Sequence, residues 1–230
     1  MQINSLHRWD VTLEEAAELQ RELHELLVLA APPDFAPRYC AGADVSNNRN
    51  SPRLYAGFVV IDITDFSTVA TATAVVDATF PYVPGYLSFR EIPALIEAWK
   101  ALTVRPDVLV FDGQGTAHPR RMGLACHAGL VFGVPALGCA KSVLVGHYTP
   151  LGRERGAMAP LLHYGEIVGM AVRTRDDVSP VYVSPGHRMD LPTAVRLLLQ
   201  LTPNGRYRLP ETTRRAHRLV NELREADEGR

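Results

Sequence analysis

The sequence is poor in cysteine and has no long apolar run. Its three cysteines, Cys40, Cys126 and Cys139, show no Cys-x-x-Cys spacing, which argues against a disulfide framework and against a zinc knuckle. All three stand in apolar stretches, as buried thiols in a reducing cytoplasm do. No apolar run approaches the roughly 18 residues that cross a bilayer, and the first ten residues lack the apolar core of a signal peptide. We therefore expect a cytoplasmic protein with no membrane partner.

A strong excess of charge is also missing. The formal net charge is −1, so the chain as a whole does not have the charge of a general polyanion binder. From residue 141 onward, however, 14 Lys and Arg outnumber 10 Asp and Glu. This mildly basic part either contacts phosphates or is an ordinary solvated surface. The length and the 47% hydrophobic content suit one domain, or at most two small ones. We expect a single domain over residues 1–230, with residues 1–36 as a helical segment packed on it.

The order of strand-like and helix-like patterns predicts an α/β fold, with a mixed sheet flanked by helices. Thr12 and Glu15 form a capping box for the first helix, and Pro93 is placed in the first turn of the second. We expect the first three strands to form an antiparallel meander, and a strand–helix–strand unit to give parallel neighbours. The predicted strands cover residues 38–46, 54–63, 68–80, 107–113, 135–142, 167–175 and 181–186, and the predicted helices cover residues 11–30, 90–102, 120–133, 191–201 and 211–226.

Two aspartates follow apolar strands. Asp44 ends the first predicted strand and Asp112 ends the fourth. If those strands are parallel neighbours, both side chains lie in one crevice at the carboxyl ends of the strands. Like charges so close need a cation or a shared proton, and oxygen ligands favour Mg²⁺ or Mn²⁺ over zinc. Glu91, near the start of the second helix, offers a third oxygen ligand. Each aspartate alone is equally typical of a turn or cap residue, so both interpretations stay open.

Residues 79–91, TFPYVPGYLSFRE, combine two prolines with four aromatic residues. Such a stretch is either an ordinary rigid turn or a stiff aromatic wedge that delivers the Glu91 carboxylate to a site. Two further residues are ambiguous in the same way. Lys141 follows a strand and His217 lies on a mostly charged helix, and taken alone each is typical of a solvated or packed side chain.

Six segments, in this order along the chain, resemble the endonuclease V family: AGADVS, FPYVPGYLSFRE, DGQGTAHPRRMGLACHAGL, GCAKS, VSPGHRMDLPTAV and YRLPETTRRAH. They span about residues 38–220. The resemblance implies a ribonuclease H-like fold and a Mg²⁺-dependent nuclease, with Mn²⁺ as a substitute. It also implies recognition of deoxyinosine, which is deaminated adenine in DNA. The family hydrolyses the second phosphodiester bond on the 3′ side of this lesion and leaves 3′-hydroxyl and 5′-phosphate ends.

The same resemblance assigns catalytic roles to residues of this chain. The metal-binding carboxylates fall on Asp44, Glu91 and Asp112, in agreement with the pairing expected from the strands. Lys141 takes the position of a catalytic lysine near the scissile phosphate, where a positive charge counters the developing negative charge. His217 takes the position of an active-site histidine, which is either a proton carrier or a ligand of a second metal.

Under this resemblance the stiff loop is a DNA wedge. Pro81 and Pro84 limit the motion of the loop, and the ring of Tyr82 fills the gap that a flipped base leaves in the duplex. The flipped base enters a pocket of backbone groups, which pair with hypoxanthine and stay unpaired against adenine. The wedge residues are Pro81, Tyr82, Val83 and Pro84, and the pocket residues are Gly85, Leu87, Gly113, Gly123 and Leu124. The candidate phosphate contacts are His118, Arg120 and Arg121. We expect the two arginines to open a helix.

Three functions are compatible with the sequence. The first is a DNA repair nuclease that acts as a monomer on damaged DNA, duplex or single-stranded. The second has the same chemistry on inosine in single-stranded RNA, where contacts to the 2′-hydroxyl would decide the preference. The third is a lesion-binding protein that does not cleave, against which three converging carboxylates argue.

Overall fold

The computed structural model describes residues 1–48 and 51–229. The strands in this part of the chain are β1 Tyr39–Asn47, β2 Arg53–Asp62, β3 Thr68–Asp77, β4 Val108–Phe111, β5 Ala136–Ala140, β6 Met158–His163, β7 Glu166–Val172 and β8 Val181–Pro185. They form one sheet in the order β3-β2-β1-β4-β5-β8-β7-β6. The sheet combines parallel and antiparallel pairs, so the predicted mixed sheet is confirmed.

Strand pairing places parallel neighbours at the centre of the sheet. β1, β2 and β3 are antiparallel, which confirms the predicted meander. β1 runs parallel to β4, and β4 runs parallel to β5. The ladder between β1 and β4 ends at the pair Ala43 and Phe111. The next residues are Asp44 and Asp112, so the register itself brings the two aspartates to one edge of the sheet.

The other half of the sheet is antiparallel. β8 pairs with both β5 and β7, so the predicted late hairpin is present. The prediction lacked β6, which lies at the outer edge of the sheet and pairs with β7. β6 contains Pro160 and alternates between exposed and buried residues, as an edge strand does.

Helices cover both faces of the sheet. They are α1 Leu13–His24, α2 Leu87–Ala101, α3 Leu124–Phe132, α4 Leu191–Gln200 and α5 Glu211–Glu228, with a short 3₁₀ turn at Pro203–Gly205. Among the described residues, no helix has both the length and the apolar character needed to cross a membrane.

The first helix is shorter than predicted. Its capping box is present, with the Thr12 hydroxyl accepting from the Glu15 N–H and the Glu15 carboxylate accepting from the Thr12 N–H. The helix ends at His24 instead of residue 30, however. Residues 25–30 are mostly exposed, so no buried face prolongs the helix, and the prolines that follow favour extended chain.

The start of α2 also differs from the prediction. The helix begins at Leu87, directly after the wedge loop, so Pro93 lies inside the helix and not in its first turn. Proline has no N–H to donate, and the Phe89 carbonyl therefore lacks its usual partner within the helix. The extra first turn brings the helix N-terminus next to the wedge loop.

The predicted helix over residues 120–133 begins only at Leu124. Arg121 adopts a left-handed φ of 56°, and its N–H donates to the His118 carbonyl at 3.0 Å. This turn prevents helical backbone before Gly123, which is the N-cap. Arg120 and Arg121 therefore do not open a helix, contrary to the prediction.

The core has two layers, one on each face of the sheet. Ala43 and Phe111 belong to the layer that contains Trp99 of α2. Val110, which points to the opposite face, belongs to the layer that contains Leu198 of α4. Because side chains alternate along a strand, the residues after Ala43 and Phe111 point towards the second layer.

Helix α5 lies directly on β1 at Gly42. A Cβ atom at this position would stand 2.2 Å from the backbone C and O atoms of Thr212, so only glycine permits this approach. Asp44 points to the same face of the strand as Gly42. The contact therefore brings α5, which carries His217, over Asp44.

The residues before β1 pack on α2 and α3. The rings of Trp9 and His127 stack with centroids 5.4 Å apart, and His7 Nε2 lies 2.8 Å from His127 Nε2. Leu23 of α1 is buried against Met122. The assignment of the whole chain to a single domain stays a prediction.

All three cysteines are buried and free of disulfides, as the sequence predicted. Burial raises the pKa of the Cys40 and Cys126 thiols to about 12. Burial also raises the pKa of Cys139, and the nearby charge of Asp112 raises it further. The thiols are therefore protonated at neutral pH.

Candidate active site

Asp44 and Asp112 lie side by side at the carboxyl edge of the central strands. Asp112 directly follows β4, as predicted. Asp44 does not end its strand, because β1 continues to Asn47 by pairing with β2. The side chains of the two aspartates are 14% and 15% exposed. The carboxyl groups therefore share a crevice that is largely withdrawn from solvent.

Each aspartate has a basic partner. Lys141 follows β5, and its Nζ forms an ion pair with Asp112. His217 Nδ1 lies 2.8 Å from Asp44 Oδ2. An ionised carboxylate only accepts hydrogen bonds, so Nδ1 carries the hydrogen. The Asn221 amide nitrogen donates to His217 Nε2 at 3.2 Å, and this atom therefore presents a lone pair.

Glu91 approaches the same crevice from α2. Loss of solvent raises the pKa of Glu91 well above its usual range, and the charges of Asp44 and Asp112 raise it further, against a lowering effect of Arg90. Burial also raises the pKa of Asp44, with Asp112 adding to the rise and His217 opposing it. The three carboxyl groups thus lie within each other's electrostatic field, and the neighbouring negative charges disfavour ionisation of Glu91 and Asp44.

A hard divalent cation fits the chemistry of these three groups. Carboxylate oxygens are ligands that Mg²⁺ prefers, and a cation would supply the positive charge that the raised pKa values show to be lacking. Within residues 1–48 and 51–229, the side chains as oriented form no group of three or more His, Cys, Asp or Glu around one metal position. Lys141 and His217 contact Asp112 and Asp44 instead, so an incoming cation competes with both.

A cavity of about 330 Å³ opens beside Asp112 and Lys141. Its volume is in the range of small-ligand sites, and four separate segments contribute predicted residues to its wall. These are Tyr82, Val83, Pro84, Gly85, Leu87, Asp112, Gly113, His118, Gly123, Leu124 and Lys141. The predicted residues outside the wall are Asp44, Pro81, Glu91, Arg120, Arg121 and His217.

The family model described as Endonuclease V matches residues 21–218. The chain belongs to the endonuclease V family. An Endonuclease V of Myxococcus xanthus is 63% identical over 220 residues, which cover 96% of this chain and 93% of that relative. The crystal structure of the Endonuclease V of Streptomyces avermitilis has a TM-score of 0.88 and 45% identity, over 95% of this chain and 96% of that chain. The resemblance inferred from the six motifs is confirmed.

Family membership makes this protein a nuclease and identifies its fold. The mixed sheet with flanking helices is the ribonuclease H-like fold of endonuclease V structures, as the resemblance implied. The Endonuclease V of Ciona intestinalis, 25% identical with a TM-score of 0.81 over 93% of this chain and 98% of that chain, was crystallised with a 24mer DNA containing an inosine followed by a ribo-adenosine. That relative therefore binds a nucleic acid that carries inosine.

The wedge loop is a compact turn with an exposed aromatic tip. The Tyr86 N–H donates to the Val83 carbonyl at 3.0 Å, and Gly85 adopts a φ of 83°, which favours glycine. Tyr82 is 71% exposed. The turn therefore projects an aromatic ring into solvent at the edge of the cavity.

His118, Arg120 and Arg121 all have partners inside the protein. His118 Nε2 lies 2.9 Å from the Gly85 carbonyl oxygen, and burial lowers the pKa of His118 to about 4. Arg120 Nη2 donates to the same oxygen at 3.0 Å. Arg121 pairs with Glu166 at 2.8 Å. The phosphate contacts assigned to these three residues stay a prediction, since their polar groups are already used within the fold.

Seven residues of the cavity wall were not foreseen from the sequence: Gln20, Ser88, Gln114, Met122, Ala140, Ser142 and Leu144. Five of them lie inside the quoted motifs as direct neighbours of predicted residues, so extending each predicted set by one position would have included them. Leu144 and Gln20 lie outside every motif, and Gln20 is on the separate helix α1. No sequence pattern marks it.

Proposed function

We propose that this protein is a Mg²⁺-dependent DNA repair endonuclease that recognises deoxyinosine. It would hydrolyse the second phosphodiester bond on the 3′ side of the lesion and leave 3′-hydroxyl and 5′-phosphate ends. The observation that carries the proposal is the position of the Asp44 and Asp112 carboxylates beside a cavity with Tyr82 exposed at its edge. Carboxylates alone would suit many nucleases, and the cavity adds a means to select one base.

Asp44, Glu91 and Asp112 would hold Mg²⁺, or Mn²⁺ in its place. When bound, the ion supplies Lewis acidity that activates water and stabilises charge on the phosphate. Because burial and mutual repulsion raise the pKa of Glu91 and Asp44, added positive charge would favour the ionised form of both carboxylates. The protein's contribution is to hold three oxygen ligands together at the edge of one sheet.

Lys141 and His217 flank the carboxylates and would act on the phosphate and on protons. Lys141 is poised to exchange Asp112 for a phosphate oxygen, where its charge counters that of the transition state. His217 has a lone pair on Nε2 and an Nδ1–H held by Asp44. We propose that His217 takes up a proton at Nε2, with the Asp44 carboxylate stabilising the resulting imidazolium.

Selection of the base would depend on two helix N-termini that open onto the cavity, at Leu87 of α2 and Leu124 of α3. The first N–H groups of a helix have no partner within the helix and carry partial positive charge. They favour the 6-carbonyl of hypoxanthine over the 6-amino group of adenine. Each unpaired buried donor costs about 1–3 kcal/mol, which gives roughly tenfold or greater discrimination per donor.

The wedge loop would open the duplex for this inspection. Tyr82 is the exposed aromatic residue of the loop, and stacking of its ring in the vacated space would offset part of the cost of base flipping. Pro81 and Pro84 limit the conformations that the loop loses on insertion, and Val83 closes the turn. The loop thereby couples recognition of the base to opening of the helix.

The test uses end-labelled duplex DNA with one deoxyinosine and single-stranded RNA with one inosine. Each is incubated with Mg²⁺ or with chelator, with the wild type and with Asp44→Ala. We expect a Mg²⁺-dependent nick one nucleotide beyond the deoxyinosine, lost in the variant. The RNA arm is included because the Ciona complex carries a ribo-adenosine after the inosine. Cleavage of RNA alone would redirect the proposal to an inosine-specific ribonuclease.

Binding of the lesion without any cut would contradict the proposal and support the third function, a non-cleaving lesion-binding protein. We further propose that the enzyme acts as a monomer in the cytoplasm. Light scattering during size-exclusion chromatography, with and without the deoxyinosine duplex, tests the oligomeric state.

A further inference from the structure

The side chain of Gln20 lies in the wall of the cavity although it belongs to the N-terminal helix α1. It is only 1% exposed. A buried amide needs partners for both of its polar atoms, and Gln20 finds them at sites far from it in the sequence. Its Oε1 accepts a hydrogen bond from Arg120 Nε.

The Gln20 amide nitrogen holds the wedge loop. Gln20 Nε2 donates to the Gly85 carbonyl oxygen at 3.0 Å. The same oxygen receives Arg120 Nη2 at 3.0 Å and His118 Nε2 at 2.9 Å. Three donors therefore surround one backbone carbonyl, directly after the wedge residues. Arg120 is fixed in turn, since its guanidinium lies 4.3 Å from the centre of the Tyr86 ring.

Gln20 Nε2 also contacts the backbone just before α3. It lies 3.3 Å from the Met122 carbonyl oxygen, next to the N-cap of α3 at Gly123. One amide nitrogen thus links the wedge loop to the segment that opens α3. The Gly85 carbonyl accepts from its three donors, and these bonds fix the loop.

Resting on the proposed function, we propose that Gln20 is a positioning residue for the wedge. It holds the loop at Gly85 against the α3 side of the cavity, so that Tyr82 enters the duplex from a fixed position. Loss of this anchor leaves the catalytic carboxylates in place and lets the loop move. The loss therefore affects substrates in which the base must be unstacked, and affects much less those in which the base is already unpaired.

The test compares nicking of one deoxyinosine in a duplex and in a single-stranded oligonucleotide. Gln20→Met keeps the length and removes both hydrogen-bonding atoms, while Gln20→Glu keeps an acceptor for Arg120 and removes the donor to Gly85. We expect both variants to lose about tenfold in kcat/KM on the duplex and no more than about threefold on the single strand. Glu14→Met, on the exposed side of the same helix, is the matched control and should change neither rate.

A merely structural role would lower both rates equally, and thermal unfolding measured on the same samples reports any loss of stability. Equal losses on the two substrates, or no loss in either variant, would overturn the inference while leaving the proposed function intact. A wild type that cuts neither substrate would refute the proposed function instead. In that case, 2-aminopurine fluorescence beside the deoxyinosine, measured on binding in chelator, still tests the anchor. A smaller rise in fluorescence with Gln20→Met than with the wild type supports the anchoring role of Gln20. Equal rises in the two proteins, or no rise in either, overturn it.

Discussion

Substitution of Gly42 by alanine tests whether the contact between β1 and α5 sets the position of His217. The new Cβ atom would stand 2.2 Å from the Thr212 backbone C and O atoms. Ordinary contacts between such atoms are about 3.5–4.0 Å, so α5 must move away from β1 by at least about 1 Å. The obstacle is backbone, which cannot rotate aside as a side chain does.

The displacement has a consequence for both stability and activity. The hydrogen bond between His217 Nδ1 and Asp44 Oδ2 is 2.8 Å long. A shift of about 1 Å takes this pair beyond hydrogen-bonding distance. We expect Gly42→Ala to lower the free energy of unfolding by about 1–3 kcal/mol, through overpacking. We expect the nicking rate to fall by about a hundredfold, as misplacements of this size do in active sites.

Urea unfolding and nicking of a deoxyinosine duplex measure the two effects. Gly57→Ala is the matched control, because Gly57 lies opposite Asp44 on β2 and also beneath α5. Its Cβ would meet the Val220 Cγ1 methyl at 2.9 Å. The Val220 methyl belongs to a side chain that can move, so Gly57→Ala should lower the free energy of unfolding by only about 1 kcal/mol. A Gly42→Ala protein with the stability and nicking rate of the wild type would refute the reasoning.

Three further substitutions test other parts of the site. Burial lowers the pKa of His118 from 6.5 to about 4. Between pH 6.5 and pH 4 the unfolded chain therefore binds a proton that the folded protein does not, so the free energy of unfolding falls as the pH falls. Between pH 7 and pH 4, the free energy of unfolding measured with urea should therefore fall by roughly 3 kcal/mol more in the wild type than in His118→Gln. Equal decreases in the two proteins would contradict a buried neutral imidazole. Tyr82→Ala should change the free energy of unfolding by less than about 0.5 kcal/mol, since the ring is 71% exposed, yet reduce duplex nicking by about tenfold; an unchanged nicking rate would exclude the wedge role. Lys141→Ala should lower kcat for nicking by roughly 10²–10³-fold with little change in KM, and Lys141→Arg should recover part of the lost kcat. A rise in KM with unchanged kcat would assign the lysine to substrate binding instead.

The sequence predicts which edge of the sheet carries both Asp44 and Asp112, for a physical reason. Asp112 follows β4, Asp44 follows the part of β1 that pairs with β4, and parallel neighbours present their carboxyl ends at the same edge. Lys141 directly follows β5, the next parallel strand, but the sequence implies a role for it only through the family resemblance. These positions depend on the period and order of the strands, which the chain displays locally.

Features that depend on distant contacts could not be predicted in this way. Gln20 acts through bonds to residues 65, 100 and 102 positions away, and a glutamine on a helix has no local pattern that reveals them. The early start of α2 places Pro93 against its usual preference, because tertiary packing outweighs local propensity. The left-handed turn at Arg121 is similarly hidden, since arginine carries no signal for it.

The buried state of the cysteines makes this protein convenient for site-specific labelling. Cys40, Cys126 and Cys139 are buried and have raised pKa values, and only an accessible thiolate reacts with maleimides. A Tyr82→Cys substitution would therefore introduce the one thiol that reacts readily, at the exposed tip of the wedge. A fluorophore attached there would take the place of the Tyr82 ring and report the position of the loop during DNA binding, without removal of any native cysteine.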